Sequence, residues 1–598
     1  MYVIATAGHV DHGKSTLVNA LTTMDPDRWE EEKQRGLTID LGFAWTTLES
    51  GANVAFVDVP GHERFIANTL AGLGPAPAVL LVIAADEGWK EQTSEHLEAI
   101  EALGINRGII VLTRVDIAQR MSADEVRHRL AGTTLAHAPI HAVSARTGEG
   151  MEGLREGIDK LLPDAKALRE ALEKPVRMWI DRAFSIKGAG TVVTGTWVAG
   201  EVRVGDALKL ATGDRDYEVT VRGVHSENIA VDRAQPVMRV ALNLRGVEAD
   251  SISRGDVLVS AKNTWWQPAT IDVRWRTGPV LEAIPRALNV HVGTASVPVH
   301  VRALDAEHAR LTLRGRTLPL RLGDRLALRG PGLDSLVGVE VIDLDPPPLN
   351  RRGASARRAQ ELRDYDAFDP SAYVARRDAV LKDTLAAAGF DINNKPASVV
   401  EFREWWVNAQ AIAQWTAQVR KLFDAHLAHH PLAEGLPLAT ALSALSLPDD
   451  SLLAIALAGA RLKREGAIIR DPHAAPRDLG PAESSVAAVE RQLAQDPFAA
   501  PDAQTLDDLG LGTSELAAAE RARRLRRIGP IVLLPSAPQR AAEILAQLPG
   551  DFTLSQARQA LSTTRRIAVP LLEYMDAQGL TKRTSDTTRV VVKSQTSL

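Results

Sequence analysis

Residues 8–15, GHVDHGKS, constrain the fold more than any other feature of this chain. They follow the apolar run YVIATA and precede a helical pattern, which is the strand, loop and helix context that a phosphate-binding loop requires. Glycines let backbone N–H groups wrap a phosphate, the lysine adds a positive charge, and the serine hydroxyl can bind Mg²⁺. A structural glycine-rich turn is the competing interpretation. The residues predicted to hold a nucleotide here are Gly8, Asp11, Gly13, Lys14, Ser15 and Thr16.

Short apolar runs alternate with helical patterns over residues 1–170, as in NVAFVDV, AVLLVIAAD, GIIVLTRVD and APIHAVSA. Unbroken apolar strands separated by amphipathic helices are typical of a parallel sheet covered on both faces. The sequence therefore predicts an α/β P-loop domain over residues 1–170.

After residue 170 the sequence becomes rich in Val, Thr, Arg and Gly and contains frequent turn signals, as in KGAGTVVTGTW, RVGDALKL and SRGDVLVS. Closely spaced strands with few helical stretches predict two successive β-barrels, at 171–262 and 263–345. Prolines and arginines predict an exposed linker over 346–376. Beyond it, Ala/Leu-rich helices recur with hairpin signals and predict four tandem, mainly α winged-helix domains, at 377–430, 431–475, 476–540 and 541–598.

The composition excludes several classes of protein. With 598 residues, 45% apolar and 24% charged, and a formal charge of −5, the chain resembles globular rather than disordered or fibrous proteins. The absence of cysteine excludes disulfides, thiolate zinc sites and cysteine nucleophiles. Because the sequence shows neither a signal-peptide pattern nor an apolar run near the roughly 18 residues of a membrane span, we expect a cytoplasmic protein without membrane contact.

Two further elements fit a nucleotide site. Asp58 ends the second apolar strand and is followed by Gly61, so that a carboxylate can hold magnesium and a glycine N–H can meet a γ-phosphate. Thr38, in RGLT, lies between this element and the phosphate loop, where a mobile segment can close on the metal. A β-turn after a strand would explain the Asp58 segment equally simply. The predicted magnesium ligands are Ser15, Thr38 and Asp58.

The base specificity is predicted from the end of the strand GIIVL. Asp116 can accept hydrogen bonds from guanine N1 and N2, a donor pair that adenine lacks, and an unpaired buried carboxylate would penalise adenine. Ser144 and Arg146, after the strand APIHAV, are predicted to complete the pocket, although that tripeptide alone is typical of an ordinary turn. The predicted ligands are therefore GTP, GDP and Mg²⁺.

These elements, in this order, resemble the translational GTPases of the elongation-factor Tu type. The resemblance implies that His62 positions the attacking water, that Val10 and Leu37 form an apolar gate beside it, and that Thr38 and Lys14 assist catalysis. The chain departs from the usual Asn-Lys-x-Asp pattern at Thr113 and Arg114. Because threonine lacks the amide that links the base to the phosphate loop, we expect weak nucleotide binding and GDP release without an exchange factor.

The stretches EEKQRGLTIDLGFAW, FVDVPGHERFIANTLAG and IDRAFSIKGAGTVVTGT are similar to bacterial selenocysteine-specific elongation factors, the SelB family. The similarity covers essentially the whole chain and is densest through residue 260. It implies a monomeric factor that delivers selenocysteyl-tRNA to the ribosome at recoded UGA codons, binds a hairpin in selenoprotein mRNA, and uses ribosome-stimulated GTP hydrolysis for release.

The resemblance also implies a pocket for the amino acid, at Asp181, Arg182 and Arg239. A selenol is far more acidic than a thiol, whose pKa is about 8.5, so a cationic pocket can separate selenocysteine from serine and cysteine. Arginines on the solvated face of a barrel would give the same sequence pattern.

The last 48 residues, 551–598, carry seven Lys/Arg against four Asp/Glu, which favours a phosphate-bearing partner. The resemblance assigns mRNA-hairpin contacts to this segment, and the predicted residues are Arg565, Arg566, Lys582 and Arg583. A solubilising basic edge or a protein-contact wing is the alternative. A second cluster could contact RNA or the ribosome instead: Arg521, Arg523, Arg524, Arg526 and Arg527.

Two other functions remain compatible with these residues. One is a GTPase subunit of a metabolic complex, such as one for sulfate activation, which shares the elongation-factor Tu core but would lack the winged-helix array and the selenol pocket. The other is a general RNA-binding or ribosome-associated factor whose GTPase is only a switch. Binding of charged tRNAs in the presence of GTP separates them, because only the SelB interpretation predicts one preferred aminoacyl-tRNA.

Overall fold

A computed structural model describes residues 1–26, 38, 40–117, 121–188, 190–213, 215–261, 265–473 and 479–592. The chain divides into two compact units, Met1–Asn408 and Ala409–Leu598. Within the described ranges no single helix is long and apolar enough to span a membrane. Two consecutive helical segments, Leu438–Leu445 and Asp450–Gly459, reach the required length and apolar composition only when taken together, and the chain bends sharply between them.

The first domain is a six-stranded sheet in the order β2-β3-β1-β4-β5-β6, parallel except for the antiparallel pair β2 and β3. Every residue of β1, β4 and β5 is buried, as expected of strands covered by helices on both faces. The strands are β1 Tyr2–Ala7, β2 Gly42–Thr47, β3 Asn53–Asp58, β4 Val79–Ala84, β5 Gly108–Thr113 and β6 Ile140–Ala142. The helices are α1 Lys14–Thr22, α2 Ile66–Leu73, α3 Glu91–Ala102, α4 Ala123–Arg129, α5 Met151–Leu161 and α6 Ala165–Glu173. The predicted boundary at 170/171 is wrong, because it falls inside α6.

The second domain is a seven-stranded sheet in the order β10-β15-β7-β8-β14-β11-β12. The pairing of β10 with β11 closes six of these strands into a barrel, β12 extends from β11, and β9 pairs separately with β13. Its strands are β7 Arg177–Ile186, β8 Gly190–Trp197, β9 Val202–Arg203, β10 Ala207–Ala211, β11 Asp216–Ser226, β12 Ile229–Val231, β13 Arg233–Ala234, β14 Met238–Arg245 and β15 Val257–Ser260. The predicted boundary at 262/263 lies outside the described residues.

The third domain is a closed six-stranded barrel in the order β16-β19-β18-β17-β20-β21. Its strands are β16 Thr270–Thr277, β17 Ala287–Val292, β18 Ala295–Ala303, β19 His308–Leu313, β20 Arg325–Arg329 and β21 Val337–Asp343. The barrel shares one apolar core with the segment that follows it, which contributes Leu362, Tyr365, Tyr373 and Trp406.

The stretch 346–376, predicted as an exposed linker leading into a helix, contains two helices and several buried residues. Residues Ala354–Arg363 form α7 and Pro370–Ala375 form α8. Arg358 of α7 is 1% exposed and forms ion pairs with Asp272 and Asp343 of the barrel, both of which are fully buried. A buried guanidinium needs such partners, and they hold α7 against the barrel.

In the described residues after the second barrel, the helices and hairpins form four modules, in agreement with the predicted mainly α winged-helix fold. The helices are α9 Lys382–Ala388, α10 Ala409–His429, α11 Leu438–Leu445, α12 Leu453–Gly459, α13 Glu483–Gln495, α14 Ala503–Asp508, α15 Thr513–Arg521, α16 Ala537–Leu545, α17 Leu554–Ala560 and α18 Arg565–Ala577. The strands are β22 Ala379–Leu381, β23 Val399–Phe402, β24 Trp405–Asn408, β25 Leu436–Pro437, β26 Lys463–Glu465, β27 Ile468–Arg470, β28 Arg526–Ile528, β29 Ile531–Leu533, β30 Phe552–Thr553, β31 Thr581–Arg583 and β32 Thr588–Val591.

Two of the predicted winged-helix borders need correction. The predicted domain 377–430 is divided between the two compact units at Asn408 and Ala409, because its hairpin packs in the core of the second barrel. The border at 540/541 falls inside α16. The border at 475/476 lies outside the described residues.

Candidate functional site

The phosphate loop connects β1 to α1 in a conformation that only a few residue types adopt. Gly8, Asp11 and Gly13 have φ values of 131°, 63° and 81°. A Cβ atom on Gly8 would lie 2.2 Å from the carbonyl oxygen of Val82, so glycine is required there by both backbone angle and space. The loop ends where α1 begins at Lys14, so that the first N–H groups of the helix point into the loop.

Lys14 is buried, and its Nζ lies beside the phosphate loop. Its Nζ donates hydrogen bonds to the carbonyl oxygens of Gly8, at 3.1 Å, and His9, at 2.9 Å. A Cβ atom on Gly61 would lie 2.6 Å from both Lys14 Nζ and Val10 N. Gly61 and the phosphate loop therefore lie so close together that only glycine fits at position 61. Thr16 lies one residue beyond Ser15 in α1 and is exposed.

The three predicted magnesium ligands lie together. Ser15 Oγ donates to Asp58 Oδ2 at 2.6 Å and lies 3.2 Å from Thr38 Oγ1. Asp58 is fully buried, and its other oxygen accepts a hydrogen bond from Thr6 Oγ1 at 2.6 Å. Two hydroxyls and a carboxylate form the hard oxygen set that Mg²⁺ prefers, so the residues fit this ion. Thr6 was missed by sequence reasoning, because its proximity to Asp58 depends on the pairing of β1 with β3.

The predicted base-binding residues lie at the ends of β5 and β6. Arg146 donates from Nε to Asp116 Oδ2 at 3.1 Å, and a second guanidinium nitrogen lies 2.9 Å from the same oxygen. The Ser144 side chain, and after it Arg146, hold the pKa of Asp116 below its usual range. Asp116 is therefore an ionised acceptor at neutral pH, as recognition of guanine N1 and N2 requires.

Thr113 and Arg114 contact the phosphate loop directly. Thr113 Oγ1 donates to the carbonyl oxygen of His12 at 2.8 Å. Arg114 donates to the carbonyl oxygen of Asp11 and, at 2.7 Å, to Glu87. Thr113 therefore contacts the loop through its hydroxyl, although it lacks the amide of the usual pattern, and the expected weaker nucleotide binding stays a prediction.

His62 begins the turn that leads into α2. Its Nδ1 accepts a hydrogen bond from the backbone N–H of Arg64 at 3.2 Å, and its ring lies edge-on to Phe65, with centroids 6.1 Å apart. A neutral ring with Nδ1 as acceptor carries its proton on Nε2. Val10, one side of the predicted gate, is half-buried, and Leu37, the other side, lies outside the described residues.

Two residues of α3 accept hydrogen bonds from backbone N–H groups of the phosphate loop, and the sequence analysis did not identify them. His96 Nδ1 accepts from Gly8 N at 2.8 Å, and Gln92 Oε1 accepts from Val10 N at 3.2 Å. Burial lowers the pKa of His96 to about 3, so the ring is a neutral acceptor. Their spacing of four residues on one helix face was the available signal.

The predicted amino-acid pocket lies where the first barrel meets β2. Asp181 accepts two hydrogen bonds from Arg239, at 2.5 and 2.9 Å, and a third from Thr194 at 2.7 Å. Arg182 donates to the carbonyl oxygen of Leu41 at 2.7 Å and to Asp40 at 3.3 Å. A cavity of about 210 Å³ opens beside them and is lined by residues that include Phe43, Arg182, Phe184, His225 and Arg239.

Phe43 contacts both arginines of this pocket, which sequence reasoning did not anticipate. The guanidinium carbon of Arg239 lies 4.0 Å from the centroid of the Phe43 ring, and that of Arg182 lies 5.1 Å from it. Both distances are within the range of a cation–π interaction. The pocket is thus completed by the GTPase domain rather than by the barrel alone.

The four predicted RNA contacts separate into two kinds. Arg566 donates to the backbone carbonyl oxygens of Ala500, at 2.6 Å, and Pro501, at 3.4 Å, and Arg583 pairs with Asp576 at 3.3 Å. Arg565, the first residue of α18, and Lys582, in β31, are exposed. All four residues are exposed, but Arg566 already donates to backbone carbonyl oxygens and Arg583 already pairs with a carboxylate.

The second basic cluster is largely neutralised by acidic neighbours. Arg524 pairs with Glu483 at 2.6 Å and with Glu490 at 2.5 Å, and Arg526 donates to the Tyr574 hydroxyl at 2.5 Å. Arg521 and Arg527 also lie near glutamates, at 3.1 and 3.9 Å. This cluster is a weaker candidate for RNA binding than its sequence indicates.

Comparison with known proteins agrees with this architecture. Residues 1–164 match the elongation factor Tu GTP binding domain, residues 190–259 match elongation factor Tu domain 2, and residues 543–590 match the winged helix of elongation factor SelB. The structure is similar to a crystal structure of a bacterial selenocysteine-specific elongation factor, EF-Sec, with a TM-score of 0.71 and 27% identity over 99% of this chain and 100% of that one.

Two curated relatives carry the same description. The selenocysteine-specific elongation factor of Escherichia coli (strain K12) is 32% identical over 97% of both chains. That of Desulfomicrobium baculatum is 37% identical over 58% of this chain and 56% of its own. With a GTP-binding domain of the elongation-factor Tu type, two barrels and a SelB winged helix in one chain, the protein belongs to the family of selenocysteine-specific elongation factors.

Proposed function

We propose that this chain delivers selenocysteyl-tRNA to the ribosome at recoded UGA codons. The observation that carries the proposal is the arrangement of Arg182, Arg239 and Asp181 beside a cavity at the junction of the GTPase domain and the first barrel. An anionic side chain in this cavity would meet two guanidinium groups.

The two arginines differ in how firmly their charge is already balanced. The pair between Arg239 and Asp181 is bidentate, and Asp181 is 6% exposed. The pair between Arg182 and Asp40 is longer, at 3.3 Å, and both side chains are about one-quarter to one-third exposed. A selenolate therefore competes more easily for Arg182, while Arg239 keeps its position through Asp181. Serine, being neutral, gains little from replacing Asp40.

GTP hydrolysis is proposed to proceed by positioning rather than by general-base catalysis. Bound Mg²⁺ would be held by Ser15, Thr38 and Asp58, and would offset negative charge on the phosphates. Lys14 adds positive charge at the same place, and the phosphate-loop N–H groups donate to the phosphates. Because His62 Nδ1 accepts a hydrogen bond from the backbone N–H of Arg64, Nε2 is the ring nitrogen that can hydrogen-bond to a water molecule and orient it. Stimulation of this step by the ribosome is part of the proposal.

The last module is proposed to bind the hairpin of selenoprotein mRNA. Support comes from the match of residues 543–590 to the SelB winged helix and from the exposed cations Arg565 and Lys582. RNA hairpins are bound through backbone phosphates and splayed loop bases, and exposed basic side chains suit both.

The direct test is the binding of charged tRNAs to the full chain in the presence of a non-hydrolysable GTP analogue. We expect selenocysteyl-tRNA to bind much more tightly than seryl-tRNA carried on the same tRNA body, since the two differ only in the charged selenium. Equal affinity for the two would contradict the proposed cargo and leave a GTPase of another role.

A further inference from the structure

The second of the four helix-and-hairpin modules carries three exposed cations on its wing, the hairpin formed by β26 and β27. Arg461 precedes β26, and Lys463 and Arg464 are the first two residues of that strand. Arg464 Nε donates to the carbonyl oxygen of Gly466, in the turn of the same hairpin, at 3.1 Å. Among the described residues, none of the three cations forms an ion pair with a carboxylate. We refer to Arg461, Lys463 and Arg464 as the second-module basic surface.

This surface is less neutralised by acidic neighbours than the other basic clusters of the second unit. Arg524 in the third module pairs with two glutamates, and Arg583 in the last module pairs with Asp576. Glu465, which follows the basic surface in the chain, is paired with Arg470 at 3.1 Å. The positive charge of the second-module basic surface is therefore available to a partner.

The helices that lead into the wings of the second and last modules end in the same way. The backbone N–H of Leu462 donates to the carbonyl oxygen of Leu457 at 2.9 Å, and that of Leu580 donates to the carbonyl oxygen of Met575 at 2.9 Å. Each bond spans five residues, as in the Schellman motif that commonly ends a helix. Because the two helix ends match, the strands that follow them can be aligned residue by residue.

The alignment relates the basic surface to a residue already proposed to contact RNA. The strands β26 and β31 both lie at the edge of a three-stranded sheet, in the orders β25-β27-β26 and β30-β32-β31. Counted from the matching leucines, Arg464 occupies the position of Lys582. The second module thus presents an exposed cation at the position from which the last module is proposed to bind RNA.

Arg461 lies at a backbone position that favours glycine. Its φ value is 56°, and the matching residue of the last module is Gly579, with a φ value of 70°. Residues other than glycine are uncommon in this conformation, because the Cβ atom crowds the backbone. The helix end therefore does not explain an arginine here, whereas a contact made by its charge does.

Protection of an edge strand is the competing explanation for these cations. Charged side chains on an edge strand prevent it from pairing with another chain. That role accounts for Lys463 and Arg464, which belong to β26, but not for Arg461, which precedes the strand. A contact with phosphates uses all three cations.

We propose that the second-module basic surface binds RNA through its backbone phosphates. Three cations within four consecutive residues suit a polymer that carries one negative charge per nucleotide, and each contact releases a counter-ion from the RNA. This contact does not depend on RNA sequence, and it is separate from the contacts that the last module is proposed to make with the mRNA hairpin.

The test starts from the full chain with Arg565→Ala and Lys582→Ala, which removes the contacts proposed for the last module. The probe is an RNA duplex of unrelated sequence, and fluorescence anisotropy gives its affinity at several salt concentrations. Adding Lys463→Gln and Arg464→Gln should weaken binding about tenfold and reduce the slope of log affinity against log salt by about two, because each lost phosphate contact contributes a little under one.

The variant Arg461→Gly separates the charge of this residue from its effect on the fold. Glycine suits a φ value of 56°, so the thermal stability of the chain should not fall. Binding of the RNA duplex should nevertheless weaken about threefold, and the salt slope should fall by about one. Unchanged RNA binding in Arg461→Gly would exclude this residue from the surface.

Arg491→Gln combined with Arg540→Gln is the matched control, since it removes two exposed cations from α13 and α16 of the same unit. This control should bind the RNA duplex like the starting chain. Equal affinities and equal salt slopes in the control and in the Lys463→Gln, Arg464→Gln variant would overturn the proposal. The selectivity for selenocysteyl-tRNA, measured separately, tests the proposed function and does not depend on this surface.

Discussion

The Thr113 hydroxyl donates a hydrogen bond to the carbonyl oxygen of His12 across 2.8 Å and so links the end of β5 to the phosphate loop. Removing this bond in Thr113→Val should speed GDP release by about fivefold, because a neutral hydrogen bond contributes about 1 kcal/mol net. Release of a fluorescent GDP analogue in a stopped-flow instrument measures the rate.

Thr113→Asn is the informative companion variant. It introduces the side-chain amide that the usual Asn-Lys-x-Asp pattern has at this position, and we expect it to slow GDP release relative to the wild type. A spontaneous wild-type half-life of many minutes would contradict the expectation that this chain releases GDP without an exchange factor.

Replacing Arg239 with Ala should reduce the selectivity for selenocysteyl-tRNA over seryl-tRNA while leaving GTP hydrolysis intact. The variant removes one guanidinium and leaves the nearly buried Asp181 without its bidentate partner, so the cavity becomes more negative. The measurement is the ratio of the two tRNA affinities. Arg222→Ala, an exposed arginine of the same barrel, is the control, and an unchanged ratio in Arg239→Ala would remove this residue from the pocket.

Replacing Arg358 with Met should loosen the attachment of α7 to the second barrel. The variant leaves Asp272 and Asp343 buried with fewer positive partners, and breaking a buried ion pair from one side costs about 3–5 kcal/mol. Hydrogen exchange of peptides from β16 and β21 should become faster. In Arg357→Met, which changes an exposed residue next to Arg358, hydrogen exchange of these peptides should be the same as in the wild type. Equal exchange rates in the two variants would show that the ion pairs of Arg358 contribute little to stability.

The buried His96 should make the GTPase domain less stable in acid. Its pKa in the folded state is about 3, below the usual value of about 6.5, so the unfolded chain binds more protons between these two values. Stability from this residue is complete above pH 6.5 and is lost as the pH falls toward 3.

The variant His96→Asn isolates this contribution, because it keeps an acceptor for Gly8 N but does not titrate. Urea unfolding followed at pH 4.5 and pH 7 should show a smaller pH dependence in His96→Asn than in the wild type. Identical pH dependence of the two proteins would be incompatible with a neutral buried imidazole.

The last module should lose RNA affinity when its exposed cations are removed. Arg565→Ala and Lys582→Ala should each weaken binding of a selenoprotein mRNA hairpin and reduce the slope of log affinity against log salt by up to about one. Arg566→Ala should instead lower the thermal stability of the second unit, because Arg566 donates to backbone carbonyls. If the Arg565 and Lys582 variants kept the wild-type slope of log affinity against log salt, these residues would not be the ones that contact the RNA.

Much of the nucleotide site could be predicted because its signals are local. A phosphate loop binds through consecutive backbone N–H groups, so residues 8–15 carry their chemistry wherever the domain lies. Thr6, Gln92 and His96 were missed because each acts on the loop or on Asp58 through a contact between separate elements.

By itself, the sequence determined the order of domains, the phosphate loop and the chemical types of the residues proposed to bind cargo and RNA, because hydrophobic periodicity and short motifs depend on residues that are neighbours in the chain. Only the tertiary structure decided which charges are already balanced. Arg182 faces Asp40, Arg358 faces Asp272, and Arg524 faces Glu490, and the members of each pair are far apart in the chain. How easily a ligand competes for a charge depends on the counter-ion that folding has already placed beside it, and that depends on packing between elements.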